Sequence, residues 1–266
     1  MLTEWWSYLT TKCSPEARRL GYLREAIAIR ARYRRCHDAW ATHLAKTQAA
    51  LLASAESCRQ RRTALILGSG LLLDIPLAEL AKSFKEIWLV DMVHLPVVKR
   101  TAQRYGNVRC IEWDVTESIQ YVLAGRDSRD WGERSPTAFL QDTSVDWVAS
   151  VNLLSQLPLL PLAYRGYEML PEHPLALAIM QRHLDYLSRF RAPVCLVADA
   201  EHLTLDNAGN EVVKTDLEPH LGLDKHAFDQ WWWELAPLGE LGGDITVRHR
   251  VVACRWPSRV EGTEGE

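Results

Sequence analysis

The chain has 266 residues, of which 47% are hydrophobic and 24% charged, and its formal net charge is −3 at pH 7. This composition is ample for a globular core, and no run is long and apolar enough to cross a bilayer. The N-terminus lacks the apolar core of a cleavable signal peptide, so we predict a cytoplasmic protein without membrane contact. The six cysteines show no C-x-x-C spacing and the nine histidines no zinc spacing, which predicts reduced thiols and no metal site.

The first quarter of the chain is basic. Residues 1–63 contain 12 lysines and arginines against 5 acidic residues, so the remaining residues carry a net charge of −10. Ser14-Pro15-Glu16 is a helix start signal, and apolar residues then recur on one helical face: Ile29, Tyr33, Cys36, Trp40 and His43 or Leu44. We predict an N-terminal helical extension over residues 1–62 that packs on the rest of the chain. The alternative is that its arginines attract an anionic partner or nucleic acid.

Residues 63–117 alternate short apolar runs with turn signals. The run Ala64-Leu65-Ile66-Leu67 predicts a buried strand that breaks at Gly68-Ser69-Gly70, and a helix is predicted from about Asp74, which would cap it. A second predicted strand ends in Asp91, and a third ends in Asp114-Val115-Thr116. The order of strand, glycine turn, helix, strand and acid is typical of a nucleotide site on a parallel α/β sheet.

The polar ends of these strands indicate an adenosine-containing ligand. The glycines let a ligand approach the backbone, Asp91 can accept hydrogen bonds from both ribose hydroxyls, and Asp114 can accept from the exocyclic amine of adenine. A dinucleotide is less favoured, because Leu73 stands at the third glycine position and Asp74 would repel a pyrophosphate at the helix start. A nicotinamide-dependent oxidoreductase is therefore the weaker alternative.

This arrangement resembles the class I S-adenosylmethionine-dependent methyltransferases. In that family a G-x-G loop, an acid that ends the second strand and an Asp that ends the third recur in this order. The predicted fourth strand, 145–152, with 153–158 after it, resembles the segment at which the family delivers the methyl group. The first motif is degenerate, because Ile66 replaces the usual acid before the glycines and Leu72 replaces a frequent third glycine.

The resemblance implies a Rossmann-like domain over residues 63–256 with S-adenosylmethionine as its cofactor. The cofactor-binding residues that it implies are Gly68, Ser69, Gly70, Asp91, Met92, Asp114, Val115 and Asn152. The fold class is then α/β, with a mostly parallel sheet, helices on both faces, a C-terminal antiparallel hairpin and the N-terminal helical extension.

The segment after the fourth strand supplies candidates for substrate contact. Ligands in open α/β sheets bind over the carboxyl ends of the strands. The candidates there are Tyr164, Arg165, Tyr167 and His173, and the alternative is a connecting loop with aromatic packing. A surface loop is predicted over 125–135 and a helix over 174–190.

A fifth strand, 193–198, is predicted to end in Asp199, and Asn207-Ala208-Gly209-Asn210 predicts the turn of a following hairpin. Four polar residues would lie above the sheet near the substrate: Asp199, Glu201, His202 and Asp206. A carboxylate and a histidine together could form a general base, but the spacing does not define a pair.

The C-terminal part predicts an antiparallel strand in the alternating run 245–254. Trp231-Trp232-Trp233 either belongs to a strand or ends a helix that begins near Asp224. Residues 257–266 are predicted to form a disordered tail.

We therefore predict a methyltransferase that acts on an unidentified, small-molecule acceptor. Methylation of nucleic-acid bases is less favoured, because Asn152 is followed by Leu153-Leu154 and not by the Pro-Pro pair of the amino methyltransferases. No catalytic residue is indicated. A non-catalytic binding or regulatory module is the alternative, favoured by Ile66, Leu72 and the missing base.

Overall fold

The computed structural model describes residues 8–132 and 134–258. Over these residues the strands form one eight-stranded sheet in the order β3-β2-β1-β4-β5-β8-β7, with β6 paired to β5. The strands are β1 (Thr63–Leu67), β2 (Glu86–Asp91), β3 (Val108–Glu112), β4 (Val145–Val151), β5 (Val194–Asp206), β6 (Glu211–Asp216), β7 (Ala227–Ala236) and β8 (Ile245–Trp256).

Helices connect and cover these strands. They are α1 (Pro15–Leu20), α2 (Tyr22–Arg35), α3 (His37–Glu56), α4 (Leu77–Ser83), α5 (Pro96–Ala102), α6 (Ile119–Leu123), α7 (Ser128–Gly132), α8 (Leu159–Tyr164), α9 (Pro174–Leu187) and α10 (Glu218–Leu221), with 3-10 turns at Leu154–Gln156 and Asp224–His226. None of the helices in the described ranges is long and apolar enough to cross a membrane.

The first five strands of the sheet order are parallel, and β1 is its central strand. Every residue of β1 is buried, because β2 and β4 flank it and helices cover both faces. Continuous apolar sequence is what such a doubly covered strand requires. The carboxyl ends of β1, β2, β3 and β4 therefore meet at one edge, which brings the glycine loop, Asp91 and Asn152 together. The predicted fold class is confirmed, including the antiparallel C-terminal strands β7 and β8.

Several predicted element bounds are wrong. The fifth strand does not end at Asp199 but continues to Asp206, because β8 pairs with it along its whole length. The tryptophan trio lies in the strand β7, so the helical alternative for it is excluded. The predicted loop 125–135 contains α7, and the segment after β4 contains α8.

Helix α4 begins at Leu77, three residues after the predicted cap Asp74. Pro76 occupies the N-cap position instead, and the carboxylate of Asp74 is used elsewhere in the molecule. The hairpin predicted around Asn207 to Asn210 is confirmed as the β5–β6 turn.

A β-bulge interrupts β5 at Ala200. Asp199 pairs with Val251 and Glu201 with Arg250, so Ala200 has no partner of its own on β8. Side chains of a regular strand alternate between faces, and an extra residue shifts that alternation by one. As a result Asp199 and His202, three positions apart, lie on the same face of the sheet.

Two apolar cores cover the two faces. One contains Leu65, Leu67 and Leu196 with residues of α6 to α9, and the other contains Ile66 and Val197 with residues of α3 and α4. Successive residues of a strand thus pack into opposite cores. Helix α3, from the basic first quarter, is an integral layer of the second core.

Helices α1 and α2 form a third apolar cluster against the chain that follows β2. Ala17, Leu23 and Ile27 pack there on Val93 and Leu95. The boundary between an N-terminal extension and the sheet domain at residue 62 stays a prediction. Helices α2 and α3, which precede this boundary, pack on residues that follow it. The predicted tail begins at Pro257, and its residues 259–266 lie outside the described residues.

Candidate functional site

The glycine loop is pressed against the segment that follows β4. Gly68 has a φ of +77°, and a Cβ there would lie 2.9 Å from the Val151 carbonyl oxygen and 2.9 Å from the Leu153 Cβ. Any other residue would force the two segments apart, so glycine is required by both space and dihedral angle. Gly70 also has a positive φ, of +49°.

Asp91 joins this loop to the end of β2. Its Oδ2 accepts a hydrogen bond from the Gly70 amide (2.8 Å) and its Oδ1 accepts one from the Met92 amide (2.7 Å). Burial raises the pKa of Asp91, against the effect of these amides. An ionised carboxylate can accept about four hydrogen bonds. The Val93 amide is a third donor, so Asp91 orders the loop and keeps about one lone pair free.

Ser69 and His94 hold the loop from beneath. Both are fully buried, and Ser69 Oγ lies 3.1 Å from His94 Nε2. Burial lowers the pKa of His94 to about 4, so the ring is neutral at pH 7. These contacts order the loop without a carboxylate at Ile66, which is buried in the core. Leu72 adopts a left-handed backbone conformation, with a φ of +62°.

Asp114 is placed at the predicted edge but its lone pairs are in use. Oδ1 accepts from the amide and hydroxyl of Thr116 (2.9 and 2.6 Å), and Oδ2 accepts from the amides of Ser118 and Ile119 (2.8 and 2.9 Å). It thus satisfies the free amides at the start of α6. An adenine amine could bond to Asp114 only by displacing one of these donors. Val115 is buried in the core beside it.

An open cavity lies over the carboxyl ends of β2 and β3. Its volume is about 360 Å³, within the usual range of small-molecule pockets. Met92, Glu112, Trp113 and Asp114 form the sheet side of its lining, and Ser14 at the start of α1 helps to close it. The Trp113 side chain is 46% exposed, which leaves an aromatic face available for stacking.

A second polar group links the glycine loop to β4 and α3. The Asn152 side chain donates from Nδ2 to Asp74 Oδ2 (2.7 Å) and lies 3.2 Å from His43 Nε2. On the other side of the ring, Trp231 Nε1 donates to His43 Nδ1 (3.0 Å). His43 also stacks on Trp233, with centroids 4.0 Å apart. We call Asp74, Asn152, His43 and Trp231 the Asn152 network.

Proton counting constrains the Asn152 network. Burial lowers the pKa of His43 to about 3, so its ring is neutral and carries one N–H. The indole N–H can only donate, which makes Nδ1 the acceptor and places the proton on Nε2, facing the Asn152 amide nitrogen. In that contact two donors face each other, the Nε2–H of His43 and the Nδ2–H of Asn152. The contact becomes favourable when the Asn152 amide turns its oxygen to His43 and Asp74 is protonated. Burial raises the pKa of Asp74 to about 6, which favours the protonated form.

A third group surrounds Asp199 on the same face. Ser155 Oγ donates to Asp199 Oδ1 (2.7 Å), while Asp199 Oδ2 contacts His202 Nε2 and lies 3.3 Å from His249 Nδ1. Burial would raise the pKa of Asp199, but the hydrogen bonds and charges of both histidines outweigh it and hold that pKa well below its usual range. We call Asp199, His202, His249 and Ser155 the Asp199 cluster.

The Asp199 cluster brings three residues with metal-ligand side chains close together. One ligand atom from each of Asp199, His202 and His249 falls within 4.8 Å of the others. However, the two imidazoles are stacked, with centroids 3.9 Å apart and planes 12° apart. A metal must lie in the plane of each ring that binds it, and stacked planes share no such point. The geometry therefore suits hydrogen bonding and not joint metal ligation.

Each predicted substrate residue contacts a partner outside the Asp199 cluster. Tyr164 stacks under Arg19, and Arg165 Nη1 donates to the Val122 carbonyl (3.3 Å). Tyr167 lies against His173, whose Nδ1 accepts from the Leu175 amide at the start of α9. Their role in substrate contact stays a prediction.

Of the four polar residues predicted near the substrate, only two come together. Asp199 and His202 form the pair that spacing could not define. Glu201 points to the other face, where it pairs with Lys214 and Arg250. Asp206 accepts from the Ala208 and Asn210 amides and closes the hairpin turn.

Sequence analysis missed several residues of the site. His43 lies on a helix that the sequence assigns to the N-terminal extension. His249 lies in a strand whose alternating pattern predicts only an antiparallel strand with one buried side. Ser155 and Trp113 belong to no sequence motif. Asp74 carries a sequence signal, since it is predicted as a helix cap whose carboxylate would repel phosphate, and Asn152 is among the predicted cofactor residues. The hydrogen bond between the two could be found only from the fold.

No protein-family model and no curated protein matches this sequence. Among solved structures, the chain is similar to 1,6-didemethyltoxoflavin-N1-methyltransferase from Burkholderia thailandensis, with 16% identity, 87% of each chain covered and a TM-score of 0.45. It is also similar to the N-methyltransferase NodS from Bradyrhizobium japonicum, with 12% identity, 78% of this chain and 85% of that chain covered, and a TM-score of 0.38. Both were crystallised with S-adenosylhomocysteine.

Proposed function

We propose that this protein is an S-adenosylmethionine-dependent methyltransferase with a small-molecule acceptor. The observation that carries the proposal is the junction of Gly68, Gly70 and Asp91 with the segment after β4. One tight loop bonds to the carboxylate of Asp91, which keeps a free lone pair, and the same loop lies against the chain at Val151 and Leu153.

The residues present fit the cofactor. Asp91 would hold the ribose hydroxyls, and Met92, Trp113 and Glu112 would line the adenine side of the cavity. The methionine portion would then extend over the glycine loop toward Asn152. When bound, the cofactor supplies a methyl group on a positively charged sulfur that is already a good leaving group. The chain's own residues align the acceptor and exclude water.

The Asp199 cluster supports an acceptor that loses a proton on methylation. Its carboxylate holds one nitrogen of His202 and one of His249, which orients both rings in the manner of a carboxylate–histidine pair. Ser155, which donates to the same carboxylate, lies just after the Asn152 end of β4. A hydroxyl or ring N–H is the acceptor type that such a base serves.

The test of the proposal is calorimetric titration with S-adenosylmethionine, S-adenosylhomocysteine and NAD. We expect micromolar binding of the two adenosyl ligands and none of NAD. Asp91→Ala should weaken both by ten- to a hundredfold, since hydrogen bonds to a charged acceptor contribute about 1.5 to 3 kcal/mol. Binding of NAD alone would favour the oxidoreductase alternative. Adenosyl binding without methylation of any hydroxyl or N–H acceptor would favour the non-catalytic module.

The basic extension supports a second, separate partner, a nucleic acid. Arg30, Arg34 and Arg100 crowd together where α2 meets α5, and burial, followed by the charges of the other two, lowers the pKa of Arg30. No ion pair to a carboxylate is recorded for these three within residues 8–132 and 134–258. Labelled RNA should bind with strong salt dependence, and Arg30→Glu with Arg34→Glu should abolish that binding, whereas Arg126→Glu with Arg129→Glu should not. Location in the cytoplasm stays part of this proposal.

A further inference from the structure

We propose that Asp74, oriented by Asn152, binds the α-ammonium group of the methionine portion of the cofactor. This inference rests on the proposed function and deepens it. It assigns to Asp74 the negative charge that the chain lacks at Ile66, the position before the glycines.

The first argument is placement. Asp74 lies six residues after Gly68, at the far end of the same loop, and Gln48 of α3 donates to the neighbouring Leu73 carbonyl (2.8 Å). Its Oδ2 meets the side chain of Asn152, the first residue after β4. Two carboxylates thus flank the loop, Asp91 of β2 on the ribose side and Asp74 on the β4 side. A ligand whose ribose lies on Asp91 and whose methyl group points toward β4 brings its amino-acid end to Asp74.

The second argument is the rigidity of Asn152. Its backbone has a φ of +48°, and its amide donates to the Val197 carbonyl on β5 (2.8 Å). Asparagine tolerates this left-handed conformation better than most residues. The side chain is therefore held by its own backbone, by Asp74 and by His43, so that Asp74 is fixed at the mouth of the loop.

The third argument is charge. Among the described residues, neither Asp74 nor Asp91 forms an ion pair with a lysine, arginine or histidine. The two carboxylates also repel each other, since Asp91 is one cause that raises the pKa of Asp74, after burial. His43 cannot supply the missing positive charge because its ring is buried and neutral. A ligand ammonium would provide the cation, and a partly buried ammonium–carboxylate hydrogen bond is of the strong, charge-assisted type.

The same arrangement predicts proton release. In the free protein the Asn152 network is satisfied when Asp74 is protonated, whereas an ammonium ligand requires the carboxylate. Binding at a pH near 6 should therefore release about half a proton, because a group is half protonated at its pKa. Asp74→Asn has no proton to release at this position.

The experiment compares ligands that differ only at the amino-acid end. S-adenosylhomocysteine, its analogue without the amino group and 5′-methylthioadenosine are titrated into the wild-type protein and Asp74→Asn. Glu79→Gln, an exposed carboxylate in the first turn of α4, is the matched control. The wild type should bind S-adenosylhomocysteine 10- to 100-fold more tightly than the analogue without the amino group.

Asp74→Asn should lose that preference while it binds 5′-methylthioadenosine within twofold of the wild type. Calorimetry in buffers of different ionisation enthalpy should show proton release for the wild type and Glu79→Gln only. If Asp74→Asn binds all three ligands more weakly by the same factor, or binds all three as the wild type does, the inference is wrong. The proposed adenosine site would not be affected by that result. Failure of the wild type to bind any of the three would instead reject the proposed function. If Asp74→Asn does not fold, the wild type alone tests the inference. Equal affinity for S-adenosylhomocysteine and for its analogue without the amino group would then reject it.

Discussion

The Asn152 network and the Asp199 cluster lie on the same face of the sheet, on either side of the end of β4, and each contains a carboxylate near a histidine. In the cluster, His202 and His249 contact Asp199 directly and hold its pKa well below the usual range, although burial works against them. In the network, an amide separates Asp74 from His43, and burial raises the pKa of Asp74 to about 6 and lowers that of His43 to about 3.

The comparison shows that burial alone does not decide the charge of a carboxylate. Burial has the same sign for Asp74 and Asp199, so the difference comes from what each oxygen contacts. Two imidazoles at hydrogen-bond distance stabilise the ionised form of Asp199. One amide does not do so for Asp74, which leaves a site for a ligand cation.

The largest expected effect, summed over two histidines, is the acid sensitivity of rings that contact no carboxylate directly. The pKa of His43 and of His183 is lowered to about 3, so between pH 6.5 and 3 the unfolded chain binds protons that the native protein does not. Stability then falls as the pH falls, by about 2 kcal/mol per histidine from pH 6.5 to 5. Asp74 acts in the opposite direction between pH 6 and about 4, by about 1 kcal/mol over the same interval, so the histidines dominate.

Urea unfolding at pH 6.5 and 5.0 measures this slope. His183→Gln, which keeps an amide for Ser150, should reduce the slope by about 2 kcal/mol, whereas the exposed His37→Gln should leave it unchanged. An unchanged slope in His183→Gln would mean that its ring is protonated in the native state.

The next effect concerns the carboxylate of the cluster. Asp199→Asn removes the charge that both histidines share, and we expect the free energy of unfolding at pH 7 to fall by about 3 kcal/mol. Asp185→Asn, which breaks an exposed pair with Arg182, should cost less than about 0.5 kcal/mol. If Asp199→Asn lowers the free energy of unfolding by less than about 1 kcal/mol, the histidines do not stabilise Asp199 more than the amide stabilises Asp74.

A smaller effect is expected in the network. Asn152→Ala removes the amide between Asp74 and His43 and places alanine at a positive φ, which together should cost about 2 kcal/mol. The pKa of Asp74 should fall, because in the proton count the protonated carboxyl donates to the Asn152 oxygen and that bond is lost. Carboxyl NMR titration of Asp74 measures this. An upward shift, which loss of a bond from Nδ2 to the carboxylate would give, would contradict the proton count.

The smallest effect separates Ser155 from the histidines. Ser155→Ala removes one hydrogen bond to Asp199 and should cost about 1 kcal/mol, with His202 and His249 still in place. The acid limb of the unfolding curve should keep its wild-type midpoint. A shift as large as that of Asp199→Asn would make the hydroxyl, and not the imidazoles, the main partner.

The sheet and the cofactor edge could be predicted because their signals are local. Continuous apolar runs, Gly68-Ser69-Gly70 and the acid Asp91 each occupy a few adjacent positions. The polar groups of the site could not be predicted, because each joins segments that are distant in the sequence. His43 and Asn152 are 109 positions apart, and Trp231 and His43 are 188 positions apart. The position of Asp114 was predicted, but its use by the start of α6 depends on side-chain geometry that spacing does not show.

Ala200 has a consequence for how this surface could change over evolutionary time. The bulge there lets Asp199 and His202 share a face. Loss of a single codon at this point would restore regular pairing, carry His202 to the opposite side and leave β5 able to pair. A one-residue deletion could thus silence the cluster while preserving the fold, and a one-residue insertion in a plain strand could create it. Length variation of one residue in this strand is therefore a marker by which versions of the protein with and without the Asp199 cluster could be told apart.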